Sequence, residues 1–270
     1  MNQRPIGVFD SGLGGLTAVR QLRRLLPAED IIYFGDTSRV PYGNRRRETI
    51  LDYARQDMRF LSTFDLKAVV VACGTVSSNC LLELRAESPI PVIGVVEPAA
   101  AKASDATRSR RVGVAATYAS VRSGAYERAF HAIHGGISVF SRACPLFVPL
   151  VEEGRCHPGD PVVDVVVVDH LKAFREAGID TLVLGCTHYP LLREAIAQVM
   201  GPEVTLVDAG AAAAEALQDL LTAEDALAQR DFGTLRCFTS GQADAFQKLA
   251  SMFLGEDDAL QVQKVDIMGY

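Results

Sequence analysis

No stretch of the sequence approaches the roughly 20 apolar residues that a membrane-spanning helix needs. The longest apolar run, 162–168, is broken by Asp164. No apolar segment follows a basic start either, so no secretory signal is read and a cytoplasmic location is expected. The six cysteines include no CxxC pair, which argues against a zinc ribbon and a disulfide framework and for reduced thiols. Positive charge is in short supply. Lys and Arg number 27 against 33 Asp and Glu, for a net charge of −6, a poor fit to sequence-independent nucleic-acid binding. Only five lysines are present (67, 102, 172, 248 and 264), and none falls where a strand gives way to a turn. A pyridoxal Schiff base is therefore not expected. A GxxxxGK phosphate loop is missing as well.

What remains is a chain of 270 residues, 49% hydrophobic and 22% charged. That apolar fraction excludes disorder. A chain of this length buries roughly 75% of its unfolded surface and needs no covalent staple. Short apolar runs predict strands over 6–9, 31–34, 68–72, 92–95, 112–115, 181–184 and 204–207. Between them lie helical patterns, with Leu16, Val19, Leu22 and Leu26 on one face and Ile50, Ala54, Met58 and Leu61 on another. Such alternation predicts a doubly wound α/β fold.

The pattern also repeats. The strands beginning near Ile6, Val69 and Val92, with the turns after them, have counterparts near Val112, Leu182 and Val204, at offsets of roughly 106 to 113 residues. Two similar α/β units are expected, with a cleft between them. They span 1–97 and 98–208, and the segment 209–270 packs back on one of the units.

In an open parallel sheet, ligands bind beyond the carboxyl ends of the strands. The turns there read Asp10-Ser11-Gly12, Asp36-Thr37, Cys73-Gly74-Thr75 and Cys186-Thr187-His188. The glycine-rich turn at Asp10 lacks the third glycine of a dinucleotide loop. It suits a small anion, or Ser11 simply caps a helix. Cys73 and Cys186 each end a strand ahead of a helix, the second with Pro190 in its first turn. A thiol at a helix N-terminus is expected to have a lowered pKa. Two thiols at equivalent places in facing units could remove a proton from one face of a molecule and add one to the other. Zinc competes for the same residues, since Cys73, Cys186 and His188 offer three donors. The Cys-Thr-His triplet, however, lacks the usual two-residue spacing and no second pair supports it. Glu152 and Glu153 read as a surface pair from which one carboxylate could face the cleft.

At these residues the sequence resembles glutamate racemase, of the cofactor-independent Asp/Glu racemase family. The resemblance rests on Gly7-Val8-Phe9-Asp10-Ser11-Gly12-Leu13-Gly14-Gly15, Tyr33-Phe34-Gly35-Asp36-Thr37, Val40-Pro41-Tyr42-Gly43, Cys144-Pro145-Leu146-Phe147-Val148-Pro149-Leu150-Val151-Glu152 and Leu184-Gly185-Cys186-Thr187-His188-Tyr189-Pro190. It runs collinearly from about residue 5 to 265. It implies two α/β domains related by a pseudo-twofold, with the chain's end returning to the first. It implies Cys73 and Cys186 as the acid/base pair, assisted by Asp10, His188 and Glu152. Substrate contacts are implied for Asp10, Ser11, Tyr42, Gly43, Gly74, Thr75, Thr187 and His188, with Thr117 from the second domain. It further implies no cofactor, glutamate as substrate, D-glutamate for peptidoglycan as product, and the homodimer common in the family. Where the family usually has Ala-Cys-Asn-Thr, this chain has Ala72-Cys73-Gly74-Thr75. The missing amide leaves open a racemase for aspartate or another amino acid. A silent binding protein of the same fold is the reading outside enzymes.

Overall fold

The computed structural model describes residues 2–255 and 260–270. Its strands, in chain order, are β1 (Ile6–Asp10), β2 (Ile31–Gly35), β3 (Ala68–Val71), β4 (Val92–Gly94), β5 (Arg111–Ala116), β6 (Ser138–Ala143), β7 (Thr181–Leu184), β8 (Thr205–Asp208), β9 (Leu235–Thr239) and β10 (Val262–Lys264). They form two sheets, ordered β10-β9-β2-β1-β3-β4 and β6-β5-β7-β8. Every pairing is parallel. The strands β1, β2, β3 and β7 are buried at every residue, which is why they read as unbroken apolar runs.

The repeat is visible in the topology. In the first sheet β1 lies between β2 and β3, with β4 beyond. In the second, β5 lies between β6 and β7, with β8 beyond. Strand order therefore reverses beside β1 and again beside β5, which makes a crevice at the carboxyl end of each sheet. Cys73 follows β3 and Cys186 follows β7, so the two thiols occupy the same position in their respective units.

All seven expected strands are present, each within a residue or two of its expected bounds. Three more were not expected. β6 is the counterpart of β2, but as an edge strand it is only partly buried, and its sequence Ser-Val-Phe-Ser-Arg-Ala carries no apolar run. β9 and β10 extend the first sheet beyond β2, so the segment after Ala211 returns to that sheet. The apolar run 162–168 belongs to the helix Pro161–Glu176, which Asp160 caps by accepting the Val162 N–H at 2.9 Å. Among the described residues, no helix is long and apolar enough to cross a membrane. The helix Ala209–Ala223 lies against both Leu16–Leu25 of the first unit and Val96–Ala106, which covers the second sheet, and so joins the units behind the cleft.

Candidate active site

Asp10 is the last residue of β1 and is buried. Its Oδ2 accepts the Gly12 N–H at 3.0 Å, which shapes the glycine-rich turn. Burial raises the pKa of this carboxyl, while the His188 charge and the Gly12 N–H pull it back. Cys73 lies just past β3 and is the N-cap of the helix Gly74–Glu87. Its Sγ is 3.5 Å from Ser11 Oγ. The expectation of a lowered pKa fails at this thiol. Burial, and then the negative charge of Asp10 beside it, push Cys73 up to about 12. Desolvation outweighs the favourable helix end, so at neutral pH Cys73 is a protonated thiol.

The second thiol is placed differently. Cys186 follows β7, but the turn after it runs into a short 3-10 helix, Tyr189–Leu192, with Pro190 at its start. The helix Arg193–Met200 begins only afterwards. The full dipole of an α-helix is therefore not aimed at this sulfur. A histidine stands there instead. Cys186 Sγ is 3.9 Å from His188 Nδ1, and His188 Nε2 is 3.1 Å from Glu152 Oε1. Burial alone would depress the imidazolium. Its contacts with Cys186 and Glu152 outweigh that and raise His188 to about 10. A protonated His188 places a positive charge 3.9 Å from Cys186 Sγ. The two sides thus differ: a neutral thiol next to a carboxyl faces a thiol next to an imidazolium.

Both cysteines line one cavity of about 350 Å³ between the units. Ser11, Tyr42, Gly43, Gly74, Thr75, Thr117, Thr187, His188 and Glu152 line it as well. Thr75 and Thr117 meet across it, with their hydroxyl oxygens 3.0 Å apart. The Ala119 N–H donates to the Gly43 carbonyl at 3.0 Å, a second link between the units. Two residues depart from expectation. Asp10 is not part of the cavity wall; it sits beneath it, where Thr187 Oγ1 approaches its Oδ1 at 3.5 Å. Tyr42 lines the cavity, and its hydroxyl donates to Asp36. Both glutamates of that pair are exposed, but only Glu152 lines the cavity and reaches His188.

Sequence reasoning missed Asn44, Tyr118 and Val148 in the wall. Val148 had a signal. It stands four residues before Glu152 in the helix Phe147–Glu152, and residues at that spacing share a face. Among the described residues, no group of three or more His, Cys, Asp or Glu side chains is arranged to hold a metal ion.

Two parallel-sheet units with a thiol at the equivalent strand end of each, both opening on one small cavity, are the architecture of an amino-acid racemase, an isomerase. The Asp/Glu/Hydantoin racemase profile matches residues 6–217, and the chain belongs to that family. It is 44% identical over 264 residues to the glutamate racemase of Desulforudis audaxviator, covering 95% of this chain and 96% of the relative. A crystal structure of a glutamate racemase isoform from Bacillus anthracis superposes with a TM-score of 0.95, at 37% identity, covering 98% of each chain. The glutamate racemase of Francisella tularensis, solved with D-glutamate, gives 0.91 at 37% identity over 100% of each chain.

Proposed function

We propose that this protein interconverts L- and D-glutamate without a cofactor, by proton transfer between Cys73 and Cys186 on opposite faces of the substrate. In this reading it acts in the cytoplasm as a homodimer and supplies D-glutamate for peptidoglycan. Its two domains are 1–97 with 209–270, and 98–208. The observation that carries the reading is the shared cavity: one thiol from each unit, at topologically matched positions, borders about 350 Å³ of space. Relatives named glutamate racemase at 44% identity support glutamate as the substrate.

The chemistry follows from the asymmetry of the two sides. The α-proton of an amino acid is a very weak acid, so its removal needs a thiolate held close and a second group ready to reprotonate. With a positive charge on His188 3.9 Å from its sulfur, Cys186 is the side assigned to abstraction. Cys73, held to about 12, is the side that keeps its proton and can give it up. In this direction Cys186 abstracts and Cys73 donates. The reverse direction starts with the proton on Cys186, and Cys73 must then carry charge beside Asp10. A proton held by Asp10, whose pKa burial raises, relieves that repulsion. The hydroxyls of Ser11, Thr75, Thr117 and Thr187 and the backbone N–H groups of the turns at Gly43 and Gly74 are the donors for the substrate carboxylates. Fixed donors around the cavity stabilise the charge that develops as the proton leaves.

The test is incubation of purified protein with L-glutamate in D₂O, with L-aspartate in parallel. The α-proton is followed by NMR and the chirality by polarimetry. D-Glutamate carrying deuterium early, while the remaining L-glutamate keeps its proton, supports two bases. Inversion of aspartate but not glutamate would change the substrate. Inertness toward both would leave only the fold.

A further inference from the structure

Asp57 occupies a core position of the helix Arg47–Leu61, on the same face as Ile50, Ala54 and Leu61. It is fully buried, and so is Asp36, the residue after β2. A buried carboxylate on an apolar helix face is costly unless it is partnered. The partners form a cluster that the proton-transfer scheme does not use. Arg39 donates to Asp36 Oδ2 at 2.5 Å and to Asp57 Oδ1 at 3.0 Å. The Tyr42 hydroxyl donates to Asp36 Oδ2 and lies 3.4 Å from Asp57 Oδ2. Asp36 Oδ1 accepts from Ser240 Oγ at 2.7 Å, and Ser240 Oγ accepts the Ser38 N–H at 3.0 Å. Ser240 follows β9, so the returning end of the chain reaches the same loop.

We propose that Asp57 and Ser240 are positioning residues for the racemisation. They hold Tyr42 and Asp36, and through them the loop 40–44 that forms one side of the cavity. The proposal rests on the racemase reading for its kinetic arm only. Tyr42 has one hydroxyl proton, and it goes to Asp36. One guanidinium balances one carboxylate, and burial together with the Asp36 charge holds the Asp57 carboxyl well above the usual range. Asp57 Oδ2 stands 3.4 Å from the Tyr42 oxygen, and a proton held on that carboxyl completes the chain by bridging the two oxygens. An amide at this position supplies the same kind of donor, whereas a methyl group supplies none.

Two readouts follow. The Arg45 N–H donates to the Tyr42 carbonyl at 2.9 Å, and the Ala119 N–H donates to the Gly43 carbonyl at 3.0 Å. Hydrogen exchange at these two amides reports the loop directly, without turnover. KM and kcat for glutamate report its effect on the site. In Asp57→Ala and Ser240→Ala, both amides exchange faster, and KM rises about tenfold, the effect of one lost buried hydrogen bond. In both, kcat stays within about threefold, because neither thiol is touched. Asp57→Asn restores slow exchange and a KM near that of the unmodified protein. Unchanged exchange and KM in Asp57→Ala would overturn the proposal, as would an Asn variant as impaired as the Ala variant. Should Asp57→Ala fail to fold, Ser240→Ala and Asp57→Asn decide the question. If the unmodified protein does not turn over glutamate, the functional reading fails while the exchange arm still judges the loop.

Discussion

Gly74 and Gly185 approach each other backbone to backbone across the cleft. A Cβ on Gly74 would lie 2.3 Å from the Gly185 carbonyl oxygen. The opposing atom belongs to the backbone, so it cannot swing aside as a side chain would. Glycine at position 74 thus sets how closely the Cys73 turn and the Cys186 turn come together.

The first prediction concerns this contact. Gly74→Ala forces the two turns apart, at about 1–3 kcal/mol of strain. That lowers kcat/KM about tenfold or more and reduces the melting temperature. Gly74→Asn, which restores the residue usual in the resemblance, adds a donor but meets the same obstacle, so it does not raise kcat/KM. Steady-state kinetics with calorimetry of both variants is the check. An asparagine variant with unchanged melting temperature and improved KM would mean that the turns separate freely.

The second prediction is selective alkylation. Cys73, Cys80, Cys144 and Cys237 are all buried, and burial holds each thiol to about 12. Cys186 alone has a protonated imidazole next to it. Iodoacetamide at pH 7 therefore modifies Cys186 first, and His188→Asn slows that reaction about tenfold, as removal of one adjacent charge does. Peptide mapping by mass spectrometry reads the order. Cys73 reacting first would reverse the assignment of the abstracting and donating sides.

The legibility of this chain follows its burial. β1, β3 and β7 are covered on both faces, so their sequences are apolar throughout and were readable. β6 lies at a sheet edge and β10 has three residues, and neither carries a periodic signal strong enough to find. The repeat itself demanded a counterpart of β2, so β6 was deducible from topology though not from hydropathy. At the site, the strand-end turns identified both cysteines and His188, because position alone puts such residues at the crevice. The charge state of Cys73 was not legible. It depends first on the burial of the thiol and then on Asp10, 63 positions away in sequence and adjacent only after β1 and β3 pair. The direction of the Tyr42 hydroxyl depends likewise on Asp36 and on Asp57 of a separate helix.

Third, replacing either thiol by a hydroxyl exchanges a proton donor and acceptor for a far weaker acid. Cys73→Ser and Cys186→Ser each lower racemisation by at least about 10²–10⁴-fold, the usual worth of a positioned acid or base. The melting temperatures stay close to that of the unmodified protein, since Ser fits the volume of Cys. Polarimetry with both glutamate enantiomers measures the loss. Full activity in either variant would rule out the two-thiol scheme.

The last prediction is a pH profile. His188 stands at about 10, held there against its burial by Cys186 and Glu152. Below that pH a positive charge faces the Cys186 sulfur. As pH rises through it, the proton is lost and the charge with it. The direction in which Cys186 abstracts therefore shows an alkaline limb near pH 10. Glu152→Gln replaces the carboxylate 3.1 Å from His188 Nε2 with a neutral group. The imidazolium then loses its proton more readily, so the limb moves toward lower pH. Glu152 is partly exposed, with 43% of its side chain accessible, so water screens the pair. At pH 7, where His188 stays protonated either way, kcat falls by no more than about threefold, in keeping with a partly screened pair. At pH 9 the loss is larger. Glu153→Gln, one residue further on and exposed, leaves the profile where it was. A limb that does not move in Glu152→Gln would show that the carboxylate does not set the charge on His188.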